Sequence, residues 1–312
     1  MKTVRRAVID VGTNSIKLLV GEVSGNEVRP LLEDSKQTRL GQDFYQTQRL
    51  QPAAIAASAQ AVARFADIAR EQQAATIRVV ATSAARDAIN SIELTEAIES
   101  ASRLKVEIIS GEQEASWVFQ GATTDGRLAR GPILLLDVGG GSAEFILGDG
   151  KQKHFSQSLP IGSVRLLESF PPGDPPGPEE LAACRGWVRK FLEKELRPRL
   201  HSALENESKD AIRLVGTGGT TSILARMEAR LEDYDRERIE ATRIGIDRLR
   251  WHVNHLWSLP LDQRKEIVGL PRSRADVILF GAVIYEGVME QFGFSELRIS
   301  TRGLRFAVLL EG

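Results

Sequence analysis

Two stretches of the chain repeat one grammar. Residues 7–23 read AVIDVGTNSIKLLVGEV, and residues 134–150 read LLLDVGGGSAEFILGDG. Aligned, they match Asp10 with Asp137, Val11 with Val138, Gly12 with Gly139, Ser15 with Ser142 and Gly21 with Gly148, at a constant offset of 137 − 10 = 127 residues. Each copy is an apolar strand, an acid, a glycine turn and a second apolar strand. A period of that size is the length of a domain rather than of a solenoid repeat, so the chain reads as an internal duplication. This constrains the fold to two related halves.

Length agrees, because 312 residues exceed one ordinary core. Further segments alternate strand and helix. Residues 52–73 are alanine-rich with proline near the start and read as a helix. TIRVVATSAARDA is a strand running into a helix. VEIISGEQEASWVFQGA repeats that pattern, with a strand to Ile109 and a helix from about Glu112. Alternation of this kind indicates an α/β protein. PPGDPPGP, residues 171–178, is a stiff loop before a helix that begins near Pro178. AIRLVGTGGTTSILARM is a strand, a third glycine loop and a helix start. The charge-rich residues 229–259 read as a solvated helical face. ADVILFGAVIYEGVMEQF reads as a buried core helix.

Hydrophobic residues make up 42% and the net charge is −1, which fits a soluble protein and argues against nucleic-acid or membrane-surface binding. No apolar run has the length of a membrane span. Cys184 is the single cysteine and cannot form an internal disulfide, so a cytoplasmic location is expected.

Three glycine-rich stretches carry candidate chemistry: Gly12-Thr13-Asn14-Ser15, Gly139-Gly140-Gly141-Ser142 and Gly216-Thr217-Gly218-Gly219-Thr220. Glycine lets the backbone approach a ligand, and its N–H groups can converge on an anion. One such stretch serves equally well as a turn, but three with hydroxyl residues point to a phosphate ligand. None has the Walker pattern, and GTGGTT lacks the last glycine of a dinucleotide fingerprint. Asp10 and Asp137 each end an apolar strand, where a carboxylate needs a partner. That partner is either the turn's own N–H groups or a magnesium ion, which takes one or two carboxylates and keeps water and phosphate oxygens. Ser142 and Glu144 lie two apart on a strand and so face one side. His252 and His255 lack a third nearby zinc ligand, and Cys184 has no sign of a catalytic thiol.

The residues then resemble a known family. AVIDVGTNSIKLLVGEV, VVATSAARDA, EIISGEQEA, LLLDVGGGSAEFILG, LPIGSVRLLE, LVGTGGTTS, RADVILFGAVI and TRGLRFAVL look like the successive motifs of the exopolyphosphatase and guanosine pentaphosphate phosphohydrolase family, Ppx/GppA. The resemblance spans nearly the whole chain and implies two duplicated α/β domains of the actin, Hsp70 and sugar-kinase (ribonuclease H-like) fold, with a phosphate-binding cleft between them. The expected domains are residues 1–122 and 123–300, with a last helix at about 301–312 packing back on the first. The chain resembles the family's short, two-domain form.

By position, Glu114 matches the family's catalytic glutamate that activates water, with Gln113 standing where an acid is frequent. Arg86 matches a cleft arginine, although an ion pair with Asp87 or another neighbour suits it equally. Asp137 and Glu144 match acids tied to the metal and the water, with Asp10 as a further metal ligand. Loops 12–15 and 139–142 match the two phosphate loops, and 216–220 matches the adenosine position of nucleotide-using relatives. Arg165 and Arg274 lie in family-like motifs and could line the path of a polyanion or serve structural pairs. The resemblance implies a magnesium-dependent phosphohydrolase acting on inorganic polyphosphate, with guanosine pentaphosphate the closest alternative and a non-hydrolytic sensor a more remote one. A homodimer is plausible on the same ground.

Overall fold

The computed structural model describes residues 3–150, 152–205 and 212–312. The chain divides into two compact units, one of Met1–Thr124 with Arg302–Gly312 and one of Asp125–Thr301.

The first unit opens with an antiparallel meander of β1 (Val4–Val11), β2 (Ser15–Ser24) and β3 (Glu27–Gln37). Helix α1 (Pro52–Glu71) crosses over to β4 (Thr76–Ala81), which lies parallel to β1. Pro52 stands in the first turn of α1, where no N–H is needed. Short α2 (Ser83–Asp87) and α3 (Ser91–Ser102) lead to β5 (Val106–Ile108) and α4 (Gly111–Ala122). The strand order is β3-β2-β1-β4-β5. Ile9, Ile16, Leu18 and Val20 from the sheet pack with Val62, Phe65 and Ala66 of α1. Each large side chain buried in this way contributes roughly 1.5–3 kcal/mol of transfer free energy.

The second unit repeats the plan with β6 (Pro132–Val138), β7 (Ala143–Asp149) and β8 (Gln152–Leu159) as the meander. There follow α5 (Ser163–Ser169), α6 (Pro178–Phe191), a π-helical turn (Leu192–Leu196) and α7 (Arg197–Glu205). Strand β9 (Arg213–Thr217) lies parallel to β6 and runs into α8 (Gly218–Glu228). Next come α9 (Arg236–Ala241), β10 (Arg243–Gly245), α10 (Ile246–Ser258) and the short α11 (Leu261–Arg264). Helix α12 (Ile278–Phe292) precedes the last strand, β11 (Glu296–Ile299). The strand order is β10-β11-β9-β6-β7-β8. Reading each sheet from its meander edge, the first four strands of both units have the same order and sense. Helix α12 is buried along its length, with Leu279, Val283 and Val288 in the core. It is anchored by Tyr285, whose hydroxyl donates to Leu136 O at 2.9 Å.

The charge-rich residues 229–259 are not one solvated helix. Ile244 is fully buried on β10, which pairs with β11, and α10 buries Leu249, Val253, Leu256 and Trp257. Pairing with a distant strand decides β10, and no local signal marks it. Among the described residues no helix is long and apolar enough to cross a membrane.

The tail helix α13 (Leu304–Glu311) belongs to the first unit and packs on α4 and β1. Trp117 Nε1 donates to Glu311 Oε1 at 2.6 Å, and Arg6 Nη1 donates to Leu309 O at 2.7 Å. Gly121 makes the approach possible, since a Cβ there would lie 1.9 Å from Gly303 O. Gly121→Ala is therefore expected to lower stability by about 1–3 kcal/mol, read as a reduced urea midpoint with unchanged slope.

Candidate active site

Both meander turns are built alike. Gly12 N–H donates to Ser15 O at 3.2 Å, and Gly139 N–H donates to Ser142 O at 3.0 Å. The chain returns after the third strand to brace each turn. In the first unit Thr38 and Arg39 N–H both reach Asn14 O, and Gly41 N–H reaches Thr13 O at 2.7 Å. In the second, Val164 and Arg165 N–H reach Gly140 O, and Ser163 N–H reaches Gly139 O. Arg165 also donates from Nε to Gly141 O at 2.9 Å, so it braces the loop directly. Of these returning segments, sequence reasoning named Arg165 and its motif and missed residues 38–41 as part of the site.

In the first unit the loop side chains Thr13, Asn14 and Ser15 are all buried. Asn14 Oδ1 accepts from Gln37 Nε2 at 3.1 Å, while Asn14 Nδ2 has no partner among the described residues. A buried donor left unmatched costs roughly 1–3 kcal/mol.

Glu114 sits in the first turn of α4 and is 9% exposed. Ser110 caps that helix, its Oγ accepting from Gln113 N–H at 3.1 Å. Arg86, at the end of α2, donates from Nη1 to Glu114 Oε2 at 3.0 Å and to Ile109 O at 3.0 Å. Its contact with Asp87 is longer, 3.7 Å from Nε. The two residues singled out by motif thus form one ion pair, bridging 28 positions of sequence. Arg86 Nη2 donates to nothing among the described residues and remains available to an oxygen ligand.

Strand register aligns a row of polar side chains in each sheet. In the second unit Asp137 stands opposite Glu144, and Glu144 opposite Ser158, whose Oγ donates to Glu144 Oε1 at 2.9 Å. Glu144 is 2% exposed. Like charges directly across an antiparallel pair destabilise it. In the first unit the corresponding row is Asp10, Lys17 and Ser35. Burial raises the Asp10 carboxyl above its ordinary range, with Lys17 and Arg305 pulling it back. The duplicated rows therefore differ at their centre, where one carries its own cation and the other a second acid.

The third glycine stretch is a strand-to-helix junction rather than a loop. Gly216 and Thr217 end β9, while Gly218, Gly219 and Thr220 form the first turn of α8. Gly218 has φ +82°, and a Cβ there would lie 2.1 Å from Asp137 Oδ1, so only glycine leaves room for that carboxylate. The hydroxyls nearby serve the protein itself. Thr220 Oγ1 donates to Val138 O at 3.0 Å, and Thr221 Oγ1 donates to Thr217 O and also contacts the Tyr285 hydroxyl. Arg274 closes a 3-10 turn (Arg272–Arg274) ahead of α12 in the same unit.

Other candidates resolve simply. Among the described residues no three His, Cys, Asp or Glu side chains converge as a metal-holding set. His252 is buried with Nε2 2.7 Å from Glu228 Oε2. Burial pushes the Cys184 thiol up to about 12, which leaves it inert at neutral pH.

Comparison with known proteins finds relatives along the whole chain. The model of the Ppx/GppA phosphatase family matches residues 4–312. The chain is 34% identical to exopolyphosphatase 2 of Mycobacterium tuberculosis, covering 99% of both chains. It is 29% identical to the bifunctional 3-dehydroquinate synthase/phosphatase of Fusobacterium nucleatum, over 98% of this chain and 46% of that one. Among solved structures, an exopolyphosphatase-like protein superposes with a TM-score of 0.88 at 27% identity, covering 100% of this chain and 98% of the other. The Aquifex aeolicus Ppx/GppA family member gives 0.80 at 28%, covering 99% and 97%. The two mixed α/β sheets are those of this actin-like, two-domain fold, and the chain belongs to the Ppx/GppA phosphatase family.

Proposed function

We propose that the chain is an exopolyphosphatase, which hydrolyses the terminal phosphoanhydride of inorganic polyphosphate and releases orthophosphate. The observation that carries this reading is the partly buried Arg86–Glu114 ion pair. The guanidinium fixes the orientation of that carboxylate at the start of a capped helix. Such a group can take a proton from water as general base. The whole-length identity to a protein named exopolyphosphatase 2 supports the same substrate class.

Glu114 accepts the proton as the water oxygen bonds to the terminal phosphorus, and the bond from that phosphorus to its bridging oxygen breaks. The shortened polyphosphate leaves on the bridging oxygen. Arg86 keeps Glu114 aimed and offers Nη2 to a phosphate oxygen. The turns at 12–15 and 139–142 present backbone N–H groups to phosphate, which is how such concavities bind anions. Arg165 acts through its loop, and Arg274 is assigned to the polyanion's path. The junction at 216–220 offers the N-terminus of α8 as a further anion-favouring position.

A divalent cation such as magnesium fits the second unit's row. Asp137 and Glu144 are hard oxygen ligands, face each other across two strands and have no cationic residue between them in the row. When bound, the ion would neutralise charge on a phosphate held at this unit's turn. Asp10 faces Lys17 and so has less call on the ion.

Glu114→Gln is expected to lower kcat for phosphate release from tripolyphosphate by about 10²–10⁴ without lowering the melting temperature. Wild-type rates in the variant would sink the proposed base. Chelation should abolish release and added magnesium restore it. Glu144→Gln should raise the magnesium concentration needed for half-maximal rate. Release measured side by side on long polyphosphate, guanosine pentaphosphate and ATP tests the substrate, and a higher kcat/KM on either nucleotide overturns the polyphosphate assignment.

A further inference from the structure

We infer that Gln37 is a positioning residue for the phosphate site: it fixes the amide of Asn14 so that Nδ2 faces the ligand as a donor. The inference rests on the phosphate-binding reading of the first loop. Asn14 is 5% exposed, and both of its oxygens accept hydrogen bonds. Its carbonyl takes two N–H groups, from Thr38 and Arg39, and its Oδ1 takes Gln37 Nε2. The two Nδ2 hydrogens lack an acceptor among the described residues. Buried side-chain donors are nearly always matched, so an unmatched one in a glycine turn is a place where a ligand can supply the acceptor. A phosphate oxygen is an acceptor with no proton to give, which is what an amide NH₂ requires.

Orientation is the difficulty for an asparagine in this place. Its amide can turn over, presenting an oxygen where the nitrogen stood. An oxygen facing a phosphate would repel it. The hydrogen bond from Gln37 Nε2 to Oδ1 favours the orientation that leaves Nδ2 for the ligand. Gln37 is the last residue of β3, opposite Ser15 in the sheet register. The strand thus delivers its final side chain beside the turn, and the following residues brace the same turn through the backbone. Gln37 does not need to touch the substrate.

A double-mutant cycle on the full chain tests this. Gln37→Met keeps the side chain's length and removes its amide. Equilibrium binding of magnesium tripolyphosphate is expected to weaken about tenfold in Gln37→Met and in Asn14→Ala. The double variant should bind no worse than Asn14→Ala alone, since Gln37 acts only through Asn14. In turnover, KM should rise about tenfold in Gln37→Met while kcat changes less than about threefold, the pattern of lost ground-state binding. Gln37→Lys, which still donates, should retain near-wild-type binding. Additive losses in the double variant, unchanged binding in Gln37→Met, or failure of Gln37→Lys to restore it would overturn the inference. Wild-type chain that binds tripolyphosphate without releasing phosphate would defeat the hydrolase assignment alone, and the binding cycle would still be read. Release without coupling between the two residues would defeat the Gln37 inference alone.

Discussion

One backbone hydrogen bond, made twice, sets the register on which the candidate site depends. Gly12 to Ser15 and Gly139 to Ser142 close the same tight turn between the first two strands of each meander. Once a hairpin turn is fixed, every cross-strand partner follows, because a slip of one residue would move each side chain to the other face. Asp10 must then stand opposite Lys17, and Asp137 opposite Glu144. The next register places a serine beside each central residue, Ser35 in one unit and Ser158 in the other.

The duplication gives this arrangement an internal control. Two copies of one hairpin share the acid at the strand end, the glycine turn and the outer serine, and differ at the middle of the row. Lysine makes the first row close to neutral. Glutamate makes the second doubly acidic, with one of the two carboxylates almost fully buried. A buried acid beside another acid is costly unless a cation or a proton intervenes. The two rows thus differ in charge: the first carries its own lysine, and the second carries two acids.

The parts of the molecule legible in sequence are those marked by local chemistry. Glycine and serine marked the turns, proline marked the starts of α1 and α6, and apolar periodicity marked α12. What could not be read is what depends on a distant partner. Strand β3 carries Pro30 and several charges, and it is stable as a strand because it pairs with β2 across a bulge at Val20 and Gly21. Strand β10 exists only against β11. Within the site, motif resemblance named Arg86 and Glu114 separately, and their ion pair is a tertiary fact. Gln37 was invisible because nothing about a glutamine at a strand end distinguishes it until its neighbour's amide is seen to be unmatched. The hydroxyls around 217–221 show the opposite case: their composition suggested ligand contacts, whereas Thr220 and Thr221 tie down their own backbone.

The docking of α13 bears on how the chain comes into being. The first unit is discontinuous, with its closing helix separated from the rest by the whole of the second unit. During synthesis, α4 and β1 emerge long before the helix that covers them. At ribosomal rates the interval is on the order of ten seconds or more. Through that time the surface that will receive Phe306, Val308 and Leu309 is open to solvent, while the second unit, contiguous in sequence, has all of its own strands as soon as β11 is made. The half that is begun first is therefore the half that is finished last.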